Sequence, residues 1–211
     1  MCYDIEASKY STVIGLASSF LLYNWSNDIV FKGLALFFAF VSLMQVYDWI
    51  FWLNLEKNGT NYTFTKIAMI SNHLQPIVLA MIIYFFMGKQ FDDVTLTIFT
   101  LYCVVSIVYS IYAFNKIDYT LVTERSKPSL DWQWNNLSGA SVVYGLFLLC
   151  LSLLSFTSFD FPLNYITVFI NIGTFYFSMY TYKNSIIGRM WCHYASYVPV
   201  FLLILNKLLR K

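Results

Sequence analysis

The sequence is poor in charged residues. Only 11% of its 211 residues are Asp, Glu, Lys or Arg, whereas about a quarter of the residues in soluble domains are charged. The net charge is +2 and no cluster of basic residues is present, so no nucleic-acid partner is expected. The chain contains only two histidines and four cysteines. Metal binding or nucleophilic catalysis through imidazole or thiol groups is therefore possible at very few positions.

The chain is instead rich in apolar residues. Hydrophobic residues make up 59% of the chain and aromatic residues 20%, and the mean hydropathy is +0.61. A soluble fold with this composition would expose large apolar patches to water. The sequence therefore predicts an integral, multi-pass membrane protein with the lipid bilayer as its partner, and it leaves open which membrane. The first ten residues carry two acids and one lysine, so no cleavable signal peptide is expected.

The apolar residues form seven runs, each of which is long enough to cross roughly 30 Å of hydrocarbon as a helix. Strands of a membrane β-barrel would be about ten residues long and would alternate in polarity. The runs are longer and unbroken, so the fold class is all-α: a single domain, 1–211, of about seven transmembrane helices with its termini on opposite sides. The runs are 7–25, 30–54, 62–87, 94–114, 139–158, 163–182 and 187–207.

The orientation of this bundle stays open because two signals disagree. Lys and Arg are more numerous in the loops on the N-terminal side, which favours placing that side in the cytoplasm. Three of the four glycosylation sequons, at Asn58, Asn61 and Asn136, lie on the same side and favour the opposite orientation.

Polar side chains inside the spans gather in the half of the bundle nearest the N-terminal side. Ionisable groups within a membrane are unfavourable and are functional candidates by default. Helical spacing puts each group on one face of its span. We expect a polar pocket that opens toward the N-terminal side and binds or transports a small molecule or ion. Its candidate ligand-binding residues are Gln45, Asp48, His73, Gln75, Arg189 and His193.

Some of these features have simpler interpretations. Asp48 and Arg189 are candidates for a structural ion pair. In the loop before the fifth span, Trp132 and Trp134 fit an interfacial aromatic anchor better than a ligand platform.

The cysteines and histidines allow three interpretations. Cys2 and Cys192 could form a disulfide if the N-terminal side is oxidising. Cys2, His73, Cys192 and His193 could bind a soft transition metal, Cu or Zn, although no CxxC or HxxxH spacing is present. Cys2 could also act as a nucleophile, with a histidine as base and Asp48 orienting it. Whether the protein is an enzyme therefore stays open.

Four short motifs are spread along the whole chain. They lie at the N-terminus, in the third span, in the loop before the fifth span and in the last span. They read Met1-Cys2-Tyr3 with Glu6-Ala-Ser8, His73-Leu-Gln75-Pro76, Asp131-Trp-Gln-Trp134 and Trp191-Cys192.

In this order the motifs resemble those of uncharacterised polytopic membrane protein families. Those families have an MCxS-x-EAS-like N-terminus, an H-x-Q-P motif in span three and a W-C pair in the last span. The resemblance implies a polytopic fold and singles out Cys2, His73 and Cys192, but it implies no known activity or substrate. The families usually place a histidine after the loop tryptophan, where this chain has Gln133, and this difference disfavours a metal ligand in the loop.

Three hypotheses follow. The first is a protein that binds or transports a small molecule or ion in the polar pocket. The second is a membrane-embedded metal-binding protein or enzyme that uses Cys2, His73 and Cys192. The third is a structural membrane component, and a homo-oligomer is compatible with all three.

Overall fold

The computed structural model describes residues 4–122, 130–181 and 191–209. Two of the candidate site residues, Cys2 and Arg189, lie outside the described residues. The architecture is all-α, as predicted. The helices are α1 (Ile5–Trp25), α2 (Ile29–Leu53), α3 (Gly59–Met81, continued by a π-helical turn at Ile82–Phe86), α4 (Asp93–Phe114), α5 (Ala140–Ser158), α6 (Leu163–Thr181), α7 (Trp191–Ala195) and α8 (Val198–Leu209).

The short polar breaks between the apolar runs supply the N-caps of the first four helices. In each case a side-chain oxygen accepts a hydrogen bond from a backbone N–H in the first turn, at 2.7 to 3.0 Å. This satisfies a donor that the helix itself leaves unpaired, so these helices begin where the sequence turns polar. The capping residues are Asp4, Asp28, Asn58 and Asp92.

Five helical segments within the described ranges are long and apolar enough to cross a membrane, by length and composition. The other two long helices, α1 and α6, are long enough but carry more polar residues. The five segments are Ile29–Leu53, Gly59–Phe86, Asp93–Phe114, Ala140–Ser158 and Trp191–Leu209.

The polar residues of α1 have a packing role. Its buried face consists of small residues, apart from Leu22, at the spacing of one helix face, and this face packs on α2. Small residues let two helix backbones approach closely in a membrane. Gly15 is the tightest point, because a Cβ atom there would lie 2.3 Å from the Ser42 Oγ. The other small residues of this face are Ser8, Ser11, Thr12, Ser18 and Ser19.

Contacts between helix ends define the two ends of the bundle. The Ser26 hydroxyl, just after α1, donates to the Asn206 Oδ1 near the end of α8 at 3.2 Å. The Lys89 Nζ, after α3, donates to the Ser158 carbonyl at the end of α5. The described chain therefore starts at one end of the bundle, which we call the N-terminal end, and finishes at the other.

The last predicted span is interrupted. The helix α7 stops at Ala195 and α8 starts at Val198, so the predicted single helix is two helices in its described part. Pro199 explains the interruption, because proline has no N–H to donate and is tolerated in the first turn of a helix but not in its interior.

The connection between α4 and α5 is the longest in the described chain. It contains two paired strands, β1 (Leu121–Val122) and β2 (Leu130–Asp131), and a 3-10 turn at Gln133–Asn135. We predicted Trp132 and Trp134 as an interfacial anchor, and that is wrong, because both are 0% exposed. The connection folds back into the bundle, where the two indole rings stack with centroids 4.9 Å apart.

Candidate functional site

Polar side chains from four helices and the α4–α5 connection are buried together at the N-terminal end. Each is less than 5% exposed. We call this set the polar cluster. Its members are Gln45 and Asp48 on α2, Asn72, His73 and Gln75 on α3, Asn135 in the connection, Tyr144 on α5 and Cys192 on α7.

A chain of hydrogen bonds runs through the centre of the polar cluster. The Gln75 Nε2 lies 3.6 Å from the Cys192 Sγ, which lies 3.9 Å from the Asn72 Oδ1. The Asn72 amide nitrogen donates to the Tyr144 hydroxyl, which in turn donates to the Asn135 Oδ1. The chain ties α3, α7 and α5 to the α4–α5 connection, so these four segments share one polar centre.

His73 lies beside this chain among aromatic side chains. Its Nδ1 lies 2.9 Å from the Ser110 Oγ on α4. Its ring meets those of Tyr109 and Tyr144, with centroids 5.5 and 6.0 Å away. The Tyr102 hydroxyl donates to the His73 carbonyl oxygen at 2.6 Å. These contacts fix the ring position and leave Nε2 as its second polar atom.

Gln45 and Asp48, the two cluster members on α2, form hydrogen bonds with α1 and with the α4–α5 connection. The Asp48 Oδ1 accepts a hydrogen bond from the Trp132 Nε1 at 3.2 Å, and the Gln45 Oε1 accepts one from the Ser11 hydroxyl on α1 at 3.0 Å. The predicted ion pair between Asp48 and Arg189 stays a prediction, because Arg189 lies outside the described residues.

The buried polar atoms in and beside the cluster without a hydrogen-bond partner among the described residues include four on α3, α7 and the α4–α5 connection. These four are the His73 Nε2, the Gln75 Oε1, the Asn135 Nδ2 and the Trp191 Nε1. The Trp191 ring belongs to the same region because it packs on Phe147, which in turn contacts Tyr144. Buried polar groups are almost always paired, and an unpaired one costs about 1–3 kcal/mol. The described part of the protein therefore leaves the hydrogen-bonding capacity of these four atoms unused.

The α4–α5 connection is held over the cluster by Asn61 on α3. Its Nδ2 donates to the carbonyls of Asn54 and Thr120, at 2.7 and 2.8 Å, and its Oδ1 accepts from the Thr120 N–H at 2.9 Å. The Thr65 hydroxyl lies 3.0 Å from that of Thr120. The amide of Asn61 is thus occupied on both sides, and the folded structure leaves this sequon residue buried.

Lys66 fixes the start of the same connection. Its Nζ donates to the carbonyls of Phe114 and Ile117, at the C-terminal end of α4. A cation there complements the partial negative charge of the helix end. The Lys66 side chain is therefore turned inward and is not a loop charge of the kind that the positive-inside rule counts.

The polar cluster is enclosed, whereas we expected a pocket open toward the N-terminal side. Trp132 and Trp134 are fully buried above it, and the Tyr109 hydroxyl donates to the Trp134 carbonyl. Open grooves of about 590 and 880 Å³ on the outer surface are lined by other residues. The predicted residues converge because polar groups in apolar helices turn inward, and the long connection then covers them.

The structure brings some of the predicted site residues together and separates others. Gln75 and Cys192 are in contact, as described above. His193 is next to Cys192 on α7, but its ring contacts Tyr194 and Tyr197, at 5.4 and 5.3 Å.

No group of three or more His, Cys, Asp or Glu side chains in the described part of the chain is placed to hold a metal ion. Cys2 lies outside that part. Both the four-residue metal set and the Cys2–Cys192 disulfide therefore stay predictions.

Three members of the cluster are not among the residues predicted from the sequence. Asn72 could have been found, because it shares a face of α3 with Gln75 at i, i+3 spacing. Tyr144 and Asn135 gave no signal: tyrosine occurs 17 times in the chain, and the position of Asn135 depends on how the long connection folds back.

Comparison of the chain with family models, with curated proteins and with solved structures gives no match. The resemblance to uncharacterised polytopic families stays a prediction, and the function has to be argued from the polar cluster.

Proposed function

We propose that this chain is a membrane protein of seven spanning helices whose polar cluster binds or transports a small polar molecule or ion. The five apolar segments support the membrane location. Two further spans are inferred from the way α1 and α6 pack. The small polar face of α1 lies against α2, and its outer face exposes Tyr10, Val13 and Phe20. On α6 the exposed side chains include Phe169 and Tyr176, so both helices present apolar surface that lipid would cover.

The observation that carries the binding function is the set of four unpartnered polar atoms described above. Leaving several polar atoms unpaired in one region of a membrane protein is unfavourable. A ligand that pairs with them recovers this free energy, and it does so only when it binds at the cluster. Ligand binding would therefore stabilise the fold measurably.

The test combines a stability assay with a flux assay. Purified protein in detergent is screened for a rise in melting temperature with small polar molecules and ions, and proteoliposomes are screened for uptake of the same compounds. The screen is repeated with Asn135→Leu, which removes the unpartnered Nδ2 donor together with the Oδ1 that accepts from the Tyr144 hydroxyl. The matched control is Ser152→Ala on α5, which removes a buried and unpartnered hydroxyl that is not part of the cluster.

We expect at least one compound to raise the melting temperature or to be taken up, with the effect lost in Asn135→Leu and kept in Ser152→Ala. If no compound has an effect, or if both variants respond like the parent, the binding function is rejected.

A structural role is the second candidate. The observation that favours it is the dense packing of the Trp132 and Trp134 rings over the cluster, with both side chains fully buried. Buried polar networks can specify one packing of a bundle without binding anything. A negative result in both assays above would leave this role as the explanation of the cluster.

A further inference from the structure

We propose that a groove between the ends of α1 and α8 binds a phospholipid with an anionic headgroup. The groove has a volume of about 880 Å³ and is lined by Trp25 from α1 and by Leu203, Ile204, Asn206 and Lys207 from α8. We call it the α1–α8 groove. It lies at the end of the bundle opposite the polar cluster and contains none of its residues. The proposal rests on the arrangement of spanning helices proposed above, and not on a ligand of the polar cluster.

A buried hydrogen bond holds the two helix ends side by side. The Ser26 hydroxyl, directly after Trp25, donates to the Asn206 Oδ1 at 3.2 Å. Ser26 and Asn206 are only 1% and 5% exposed. The α1–α8 groove is therefore built on a fixed contact between two helices.

The residues that line the groove change from polar to apolar along α8. Trp25 is the last residue of α1, and Lys207 lies in the last turn of α8. Tryptophan and lysine near the ends of spanning helices lie at the level of the lipid headgroups. Leu203 and Ile204 lie about one turn further into α8, at the level of the acyl chains, and Ile204 is 57% exposed. A phospholipid presents its headgroup and its chains in the same order.

The polar end of the groove offers two hydrogen-bond donors, one of which is charged. The Lys207 side chain is exposed, and its Nζ forms no ion pair or hydrogen bond with another residue of the described ranges. The Asn206 Oδ1 accepts from Ser26, and within the same ranges the Asn206 Nδ2 has no partner. The two residues are adjacent, with Cα atoms about 3.8 Å apart, so one headgroup can reach both. Phosphate oxygens are strong acceptors and carry negative charge, and they therefore complement both donors.

The charge of Lys207 is not compensated within the groove. No acidic side chain of the described ranges lines it. The carboxylate nearest to Ser26 in the sequence, that of Asp28, caps α2 by accepting from the Val30 N–H at 2.7 Å. In phosphatidylcholine the choline cation cancels the charge of the phosphate, whereas an anionic lipid keeps a net negative charge. A lysine near the membrane surface favours anionic lipid by about fivefold.

A lipid fits the α1–α8 groove better than a free anion does. Inorganic phosphate would meet the same two donors, but an exposed ion pair contributes little in water. It would also leave the apolar wall formed by Leu203 and Ile204 without a contact. The volume of about 880 Å³ falls within the range of roughly 300–1,000 Å³ that is typical of sites for larger ligands.

The test measures lipid binding by the purified protein in detergent. Native mass spectrometry gives the apparent dissociation constant of the first bound molecule of phosphatidylglycerol and of phosphatidylcholine with the same acyl chains. Inorganic phosphate at matched ionic strength is added as a competitor. The variants are Lys207→Gln, which removes the charge, and Asn206→Asp, which keeps the acceptor for Ser26 and replaces the amide donor by a carboxylate.

Lys32→Gln is the matched control. Lys32 lies at the same end of the bundle, but its Nζ stands over the Tyr23 ring, 5.5 Å from the ring centroid, and does not line the α1–α8 groove. The substitution removes the same charge from the same surface. It therefore separates the groove from a general attraction of anionic lipid to this end of the protein.

We expect phosphatidylglycerol to bind about fivefold more tightly than phosphatidylcholine to the parent protein and to Lys32→Gln. The preference should disappear in Lys207→Gln and in Asn206→Asp, and inorganic phosphate should not displace the lipid. The proposal is overturned if the parent protein binds both lipids equally, or if Lys32→Gln loses as much of the preference as Lys207→Gln does. Displacement by inorganic phosphate would identify an anion site and reject the lipid.

Fluorescence quenching provides a second measurement that does not need the Lys207 and Asn206 variants. Bromine atoms on an acyl chain quench the fluorescence of an indole that they contact. The quenching that is present in the parent protein and absent in Trp25→Phe should be larger with brominated phosphatidylglycerol than with brominated phosphatidylcholine. Equal quenching by the two lipids would overturn the proposal. It would leave the proposed function of the polar cluster standing, because the two sites share no residue.

Discussion

The indole N–H of Trp132 donates a hydrogen bond to the Asp48 carboxylate over 3.2 Å. Both side chains are fully buried. Trp132 belongs to the α4–α5 connection and Asp48 to α2. This contact therefore joins the segment that covers the polar cluster to helix α2. A carboxyl group removed from water depends on such hydrogen-bond donors, and the connection therefore contributes to the stability of a polar group that lies within an apolar helix.

Replacing Trp132 by Phe should destabilise the protein. The variant keeps an aromatic ring to stack on Trp134 but leaves the Asp48 Oδ1 without this donor, a loss of about 1–3 kcal/mol in the free energy of unfolding. Thermal or denaturant unfolding of the purified protein in detergent measures the change.

Trp52→Phe is the matched control, because it makes the same substitution one helical turn from Asp48. The Trp52 Nε1 is buried and has no partner among the described residues. Its removal should be neutral or slightly stabilising, since no hydrogen bond is broken. Equal destabilisation by the two substitutions would show that ring packing, and not the bond to Asp48, accounts for the effect.

The helices could be predicted from sequence because their signals are local. The predicted runs 30–54 and 94–114 correspond to Ile29–Leu53 and Asp93–Phe114, since an apolar run and a polar cap fix the ends of a helix without reference to the rest of the fold. The last run, 187–207, is interrupted before Pro199 in its described part, although Trp191–Leu209 as a whole is long and apolar enough to cross a membrane.

The site could be predicted only in part. Gln75 and Cys192 were placed in one cluster because polar groups on apolar helices have to face inward. The enclosure of the cluster was not predictable, because Trp132 and Trp134 in a loop of a membrane protein fit an interfacial position equally well. Their burial depends on distant partners, above all Asn61 and Thr120, and no local pattern reveals such pairs.

Asn61→Ala should loosen the α4–α5 connection. The substitution removes the two bonds that Nδ2 donates to Asn54 and Thr120 and the two bonds that Oδ1 accepts, from the Thr120 N–H and the Thr65 hydroxyl. Three of these four bonds are buried, and at roughly 0.5–1.5 kcal/mol each they predict a loss of about 2–4 kcal/mol in stability. Unfolding measurements give the loss, and faster hydrogen exchange at the Thr120 amide would locate it.

Asn115→Ala is the control for this experiment. The Asn115 side chain also donates to a backbone carbonyl, that of Ile111, but it is exposed to solvent. Water replaces such a bond, so the change should be within about 0.5 kcal/mol. A small effect of Asn61→Ala would mean that the connection is held by its buried rings and not by the Asn61 amide.

Gly15→Ala should separate α1 from α2. The added Cβ would lie 2.3 Å from the Ser42 Oγ and 3.1 Å from the backbone oxygen of Ser196. The hydroxyl can rotate away but the backbone oxygen cannot, so the helix has to shift, at a cost of about 1–3 kcal/mol. Gly145→Ala on α5 meets no atom within 4 Å and should be neutral or stabilising through its higher helix propensity. If both alanine variants were equally stable, the close contact between α1 and α2 would be refuted.

The cap of α4 should make stability depend on pH in the acidic range. The Thr95 hydroxyl and then the Thr95 backbone N–H bond to the Asp92 carboxylate, and they hold its pKa below the ordinary value of 3.8. A carboxylate whose pKa is lowered by folding stabilises the fold above its unfolded pKa, and this contribution is lost as the pH falls through the folded pKa.

The stability difference between the parent protein and Asp92→Asn should therefore be constant near neutral pH and shrink below about pH 4. Asparagine is the suitable replacement because it keeps an N-cap oxygen and does not titrate. Unfolding curves of both proteins from neutral to acidic pH measure the difference. In Thr95→Val, which lacks the hydroxyl and keeps the N–H, the pH-dependent part should be smaller. Parallel curves for all three proteins would show that the Asp92 charge does not contribute to the cap.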